Sequence, residues 1–211
     1  MPDQQAAARV AAVVFDGFEL LDLFGPLELL GQLPDHFDLR LVGPSLDPVR
    51  SGQGPRCTPD RTLEDVGGCD ILLVPGGPGT RDLVHDRTFL NRLKALGESA
   101  SLVTSVCTGS ALLAAAGLLD GYRATSNKAA FGWATSQGPH VQWVSTARWV
   151  HDRDRWTSSG VAAGMDMTLA LIAELQGSDT AQRIADMTEL EWHTDANWDP
   201  FAALHGLSGT S

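Results

Sequence analysis

Cys107 stands at the seam of Ser101-Leu-Val-Thr-Ser-Val-Cys-Thr-Gly-Ser110, where a β-branched run gives way to the helix formers of residues 111–119. A strand ending at Val106 and a helix beginning near Thr108 would hold the sulfur on a sharp turn above a helix N-terminus. Unpaired backbone N–H groups and the helix dipole there favour thiolate over thiol. A thiolate attacks small electrophiles, and it is also the form that peroxide oxidises. Thr108 can cap the helix, while Gly109 and Ser110 are small enough to let a substrate approach the backbone. The competing reading is a packing thiol, since free cysteines usually behave as small buried hydrophobes. That reading fits Cys57, which precedes Thr-Pro in a polar loop, and Cys69, which follows Gly-Gly just before a strand. It fits Cys107 poorly, because small polar residues flank it.

The elements that must position such a thiol follow from periodicity. Near-continuous apolar runs at residues 10–15, 37–42, 71–74 and 102–106 alternate with helical stretches predicted at about 23–33, 88–98 and 109–117. This alternation indicates a mostly parallel sheet covered by helices on both faces. The Pro-, Gly- and Ser-rich segment 44–60 leaves room for a small hairpin. A second hairpin is predicted from Ala147-Arg-Trp-Val150 and Arg155-Trp-Thr-Ser158 around His151-Asp-Arg-Asp154. Two further helices are predicted over 160–175, capped by the hydroxyls of Ser158 and Ser159, and over 179–189. One domain over residues 9–204 is expected, with disordered ends at 1–8 and 205–211. In an open α/β sheet, sites form at the carboxyl ends of strands. The loops after Phe15 and Val74, the turn at Cys107 and Ser158-Ser159-Gly160 therefore belong together.

The 211 residues carry 43% hydrophobic content and a formal net charge of −11. The size suits one core, and the charge argues against nucleic acid, whose phosphates favour basic surfaces. Three irregularly spaced cysteines offer neither a disulfide framework nor a metal-ligand pattern, so a reducing cytoplasm is the expected setting. The N-terminus does not read as a signal peptide, and the longest apolar run, 111–119, is too short to span a bilayer. Gly76-Gly-Pro-Gly79 lacks the Lys-Ser/Thr of a P-loop and opens no dinucleotide fingerprint. No cofactor, metal or membrane partner is expected; a small-molecule substrate is.

Three segments together resemble the ThiJ/PfpI superfamily, especially its isonitrile hydratase-like branch: Phe15-Asp-Gly-Phe-Glu-Leu-Leu-Asp-Leu-Phe-Gly-Pro26, Val74-Pro-Gly-Gly-Pro-Gly79 and Thr104-Ser-Val-Cys-Thr-Gly-Ser110. The likeness continues through Gly121-Tyr-Arg-Ala-Thr125 and Trp156-Thr-Ser-Ser-Gly-Val-Ala-Ala-Gly-Met-Asp166. The resemblance implies a flavodoxin-like three-layer sandwich, usually a homodimer, with its cysteine on a strand-to-helix nucleophile elbow. It also implies a neighbouring carboxylate from the first strand-to-helix loop: Asp22 in the isonitrile hydratase-like pattern, or Glu19 as in other members. The alternative for Asp22 is a helix N-cap before Gly25-Pro26.

Many relatives carry a histidine after Arg-Ala-Thr, where this chain reads Ser126-Asn127-Lys128. Peptide hydrolysis by a Cys-His pair needs an imidazole to protonate the leaving amine, so a protease is disfavoured. Hydration of an isonitrile to an N-substituted formamide needs only a cysteine and a carboxyl group. In that reading Cys107 is the nucleophile, Asp22 is an acid and base with a pKa raised toward neutrality, and Thr108 positions water. The backbone N–H groups of Gly77 and Thr108 would cradle developing charge, with Gly76, Glu19, Ser159 and Gly160 completing the substrate site. A redox or ligand sensor built on an oxidised Cys107, and a glyoxalase-like hydratase of an aldehyde, are the alternatives. His193 and the Trp-rich segment 191–200 could fold over the site, and Phe24, Phe131, Trp133 and Trp192 are candidates to shape its pocket.

Overall fold

The computed structural model describes residues 6–207. The chain opens with β1 (Ala8–Val13), α1 (Leu20–Gly31) and β2 (Phe37–Gly43), followed by short β3 (Val49–Arg50), β4 (Arg56–Cys57) and β5 (Arg61–Thr62). Next come β6 (Ile71–Val74), α2 (Thr80–Leu83), α3 (Arg87–Ser99), β7 (Leu102–Ser105) and α4 (Gly109–Ala115). Then follow β8 (Arg123–Ala124), α5 (Phe131–Thr135), β9 (Gln142–Trp143), β10 (Trp149–Asp152) and β11 (Arg155–Ser158). Three helices, α6 (Ala163–Gln176), α7 (Ser178–Met187) and α8 (Pro200–Leu204), complete the described chain.

The main sheet runs in the order β10-β11-β7-β6-β1-β2-β5. Its pairs are parallel except for the β10/β11 hairpin, the one tight connection that permits antiparallel pairing. All four residues of β6 are buried, as expected of a strand covered on both faces. One face is covered by α1, α6 and α7, whose Leu29, Leu30, Leu169, Ile172 and Ile184 pack with Val10 and Ile71. On the other, α3 and α4 bring Leu93, Leu96 and Leu112 against Leu72 and Val103. The result is the flavodoxin-like three-layer sandwich with a mostly parallel sheet. The 44–60 segment holds the hairpin β3/β4.

Local chemistry moves some boundaries. α1 begins three residues before the predicted start. Glu19 N–H donates to Gly76 O (2.8 Å) and Leu20 N–H to Gln53 Oε1 (3.1 Å), so the first turn is satisfied upstream. Asp22 consequently lies inside the helix rather than at its cap. α6 begins at Ala163 rather than Gly160, because Val161 holds φ 28° and no helix can start there. Ser158 and Ser159 do not cap it: Ser158 Oγ turns to Ser105 O (3.5 Å), and Ser159 N–H donates to Arg148 O (2.8 Å). Of the ends expected to be disordered, residues 1–5 and 208–211 lie outside the described residues. Ala8 pairs with Phe37 in the sheet, and Leu207 N–H closes back onto Ala202 O (2.8 Å).

The segment after α7 is fastened chiefly through Asp166 on α6. Its Oδ2 accepts from Arg148 Nε (2.7 Å), its Oδ1 from His193 N–H (2.9 Å), and its carbonyl from Trp192 Nε1 (3.2 Å). Arg148 and Asp166 are 7% and 2% exposed, so each charge depends on the other. Arg148 N–H donates to Ala196 O (2.8 Å) and Asp199 N–H to Thr146 O (3.1 Å), which carries the strap toward α8. Asp166→Ala, which strands the buried guanidinium, should lower the unfolding free energy in urea by about 3–5 kcal/mol.

Candidate active site

Four connections meet at the carboxyl ends of neighbouring strands: those following β1, β6, β7 and β11. Cys107 occupies the one between β7 and α4, with φ 59°. A left-handed conformation at a non-glycine residue costs about 1–2 kcal/mol and persists only where its surroundings hold it. Here the Cys107 N–H donates to Ser159 O (3.0 Å) and Ser158 O (3.2 Å). Its carbonyl accepts from Ser126 Oγ (3.0 Å) and Ser110 Oγ (3.1 Å). Ser159 thus fixes the elbow from below while its neighbour Gly160 lines the cavity beside it.

Asp22 is brought in by the early start of α1 and is completely buried. Its Oδ2 accepts from Gly76 N–H (2.9 Å); its Oδ1 has no hydrogen-bond partner, and the neighbouring Cys107 thiol draws the carboxyl's pKa down. Gly76 is pressed between the two functional segments. A Cβ there would lie 2.5 Å from Thr108 N, 2.6 Å from Thr108 Oγ1 and 2.9 Å from Asp22 Oδ2, so only glycine fits. Glu19 stands at the rim, where its Oε2 accepts from Gln53 Nε2 (2.6 Å) and its charge pushes the Asp22 pKa up.

Thr108 sits at the α4 N-cap position, but its side chain makes no capping bond. Its Oγ1 accepts from Gly77 N–H (3.0 Å) instead. Thr80 Oγ1 spends its hydrogen on Gly77 O (2.7 Å), which leaves the Thr108 hydroxyl hydrogen available to a ligand or to Thr80 Oγ1 at 3.2 Å. The expected cradle of Gly77 and Thr108 N–H groups is therefore corrected. The Gly77 N–H is committed to orienting Thr108, and the backbone donors that draw the Cys107 pKa down are those of Thr108 and Val161.

The charge state also departs from expectation. Cys107 is 7% exposed, and burial, reinforced by the Asp22 charge, pushes its thiol up to about 12. The short α4, of seven residues, does not produce the lowered pKa predicted from the seam. Donation from Thr108, Val161 and the Asn127 side chain acts the other way without overcoming burial. Burial raises the Asp22 carboxyl to about 7; the Gly76 hydrogen bond opposes this, Glu19 adds to it and the thiol of Cys107 opposes it. Between these values the pair holds one proton between two buried groups, and Asp22 is placed to take the thiol's proton at neutral pH.

A cavity of about 260 Å³ lies beside the elbow, lined by residues 127–129, Ser159, Gly160, Val161, Ala162, Phe201 and His205. Its walls are mainly apolar, with Asn127, Lys128, Ser159 and His205 as the polar residues. Lys128 is buried, donates to Ala147 O (2.6 Å) and Thr125 Oγ1 (2.7 Å), and is pushed down to about 8 by burial. Arg81 stacks on Trp133, 3.4 Å from the ring centroid, close enough for its charge to interact with that of Cys107.

The C-terminal strap reaches the cavity, through Phe201 and His205 rather than through His193, which is exposed and tied to Asp166. Of the four aromatic candidates, Phe131 packs edge-on against Trp143 and Trp192 donates to Asp166 O. Phe24 lines a separate surface hollow, and Trp133 carries Arg81. Asn127, Val161 and Phe201 went unread in the sequence. The signal for Asn127 lies in Ser126-Asn127-Lys128, the segment without a histidine, where an amide remains as a donor next to the cysteine elbow. Cys69 is buried and pushed up to about 11, consistent with a packing thiol.

The sequence pattern of the DJ-1/PfpI family matches residues 8–174. The chain is 39% identical over 178 residues to the isonitrile hydratase of Pseudomonas putida, covering 84% of this chain and 76% of that one. It is 32% identical over 191 residues to the HTH-type transcriptional regulator GbdR of Pseudomonas aeruginosa, covering 88% of this chain but 52% of the regulator. A ThiJ/PfpI family protein from Pseudomonas syringae superposes with a TM-score of 0.80 at 34% identity, covering 90% of this chain and 78% of that one.

Because burial raises the Asp22 pKa in the fold, its charge destabilises the protein. The cost is absent below the unfolded carboxyl pKa, grows as pH rises toward about 7 and is complete above it. Asp22→Asn should therefore stabilise the fold at about pH 8 by up to ~4 kcal/mol, with the gain vanishing near pH 4, as followed by urea denaturation.

Proposed function

Since the chain belongs to the DJ-1/PfpI family, we propose that it is an isonitrile hydratase-like lyase converting R–N≡C and water into R–NH–CHO. The observation that carries this reading is Asp22: a wholly buried carboxyl with a free Oδ1, poised near neutrality against Cys107. No histidine side chain is needed for its chemistry. The likeness to the P. putida hydratase supports the substrate class.

In the first step the Asp22 carboxylate takes the thiol proton as Cys107 Sγ attacks the terminal carbon. The C–S bond forms, the proton passes from Asp22 to that carbon, and the product is the thioimidate R–N=CH–S–Cys. Water held by Thr108 Oγ1 then adds to the same carbon. Its proton, taken up by Asp22, ends on nitrogen and gives R–NH–CH(OH)–S–Cys. Collapse forms C=O, breaks C–S, and returns the hydroxyl proton through Asp22 to the sulfur. Asp22 is base and acid in turn, a role that a pKa near the working pH favours.

Formamide production from cyclohexyl isocyanide tests the reading. The wild type should turn over, Cys107→Ala should not, and Asp22→Asn should lose at least ~100-fold. Failure of the wild type on a range of isonitriles, with Cys107 readily oxidised by mild peroxide, would replace this reading with a redox sensor. Because Asp22 acts first as a base, kcat/KM should rise through a pKa of about 7 in the wild type. Asp22→Asn should flatten that profile.

A further inference from the structure

We propose that Asn127 is a catalytic hydrogen-bond donor whose side-chain amide steadies the Cys107 sulfur before attack and the substrate nitrogen after it. The second half of this rests on the isonitrile reading; the first does not.

The orientation of the amide is fixed by its oxygen. Asn127 Oδ1 accepts from Ala130 N–H (3.0 Å), which turns Nδ2 the opposite way. Nδ2 then lies against Gly160, where an added Cβ would approach it to 2.6 Å. Gly160 follows Ser159, whose carbonyl accepts from the Cys107 N–H (3.0 Å), so the amide lies against the segment that holds the elbow, and donation from Asn127 and from the Val161 N–H draws the thiol's pKa down. Ser126 clamps the preceding residue to the elbow by donating to Cys107 O (3.0 Å), so the amide keeps station with the cysteine. Both Asn127 and Gly160 line the 260 Å³ cavity, a space next to this segment that can receive the substituent of a small substrate.

The reaction needs a donor at this place twice. As the thiol gives up its proton to Asp22, negative charge gathers on a sulfur shielded from water, and a fixed amide N–H opposes that cost. Once the C–S bond has formed, the sulfur is neutral and the substrate nitrogen holds a lone pair beside the cavity. Water attack drives charge onto that nitrogen. An amide cannot release its proton, so Asn127 donates a hydrogen bond throughout, while the proton that ends on nitrogen comes from water through Asp22. Donors that strengthen as charge develops contribute most in such sites. The segment Ser126-Asn127-Lys128 lacks a histidine, and the amide of Asn127 supplies donation there without supplying an acid.

Two variants separate donation from local structure. Asn127→Asp keeps the acceptor for Ala130 N–H but removes the donor; Asn127→Ala removes both without adding charge. Alkylation of Cys107 by iodoacetamide at about pH 8, read by peptide mass spectrometry, should slow about tenfold or more in both, equivalent to a rise of at least one pKa unit. Turnover of cyclohexyl isocyanide should fall about 10²-fold, while the Asp variant melts near the wild-type temperature. Alkylation of the Ala variant at the wild-type rate would overturn the proposal. If the wild type makes no formamide but alkylation slows in both variants, the isonitrile reading has failed and the assignment of Asn127 to the sulfur stands.

Discussion

Asp22 and Cys107 are each buried where charge is costly, and their burial against one another leaves one proton to be divided between a carboxyl and a thiol at neutral pH. Neither group is reactive in its own most comfortable state. An isolated buried thiol would remain protonated and inert, and an isolated buried carboxyl would remain neutral. Together, each makes the other's charge change local, because the proton need travel only between them. The surrounding donors, from Gly76 to the carboxyl and from Thr108, Val161 and Asn127 to the sulfur, decide how evenly that proton is shared. Both groups are almost wholly withdrawn from bulk solvent.

The sandwich supplies the approach of these groups through backbone alone. Parallel strands β6 and β7 lie side by side and end together, so the Gly76 turn and the Cys107 elbow are neighbours before any side chain is considered. α1 enters over them with Asp22 in its first turn, and helical side chains tilt toward the N-terminus, which here faces Gly76. The absence of a Cβ at Gly76 lets the helix carboxyl and the Thr108 segment share one space. The strained elbow is held by four hydrogen bonds, two of them to the carbonyls of Ser158 and Ser159 at the end of β11, so the hairpin edge of the sheet, far along the chain, is part of the site's foundation.

Much of this was legible in the residues. Alternation of apolar strands and helices indicated the layered sheet, the Val-Cys-Thr-Gly seam indicated the elbow, and the hairpin around His151–Asp154 was visible in its flanking strands. Asp22 came from the family likeness, since nothing in its local sequence separates an N-cap from a residue within the first turn. That distinction depends on Gly76, 54 residues from Asp22, and on Gln53, 33 residues from the Leu20 N–H that it accepts from. The thiol's charge state is not legible in the sequence, because a strand-to-helix seam announces a favourable dipole but not the depth of burial, which here decides the outcome. The C-terminal strap reads as a polar, aromatic tail. Its path depends on the buried Arg148–Asp166 pair, a contact between residues 18 apart that no periodicity reveals.

Burial brings the Asp22 titration near neutrality and moves that of Cys107 far above it. A ¹³C NMR titration of the Asp22 carboxyl, assigned by its loss in Asp22→Asn, measures this directly. The carboxyl should deprotonate at about 7 while the thiol remains protonated well into the alkaline range. A carboxyl already ionised in the ordinary aspartate range, or a Cys107 thiolate present at neutral pH, would contradict the account.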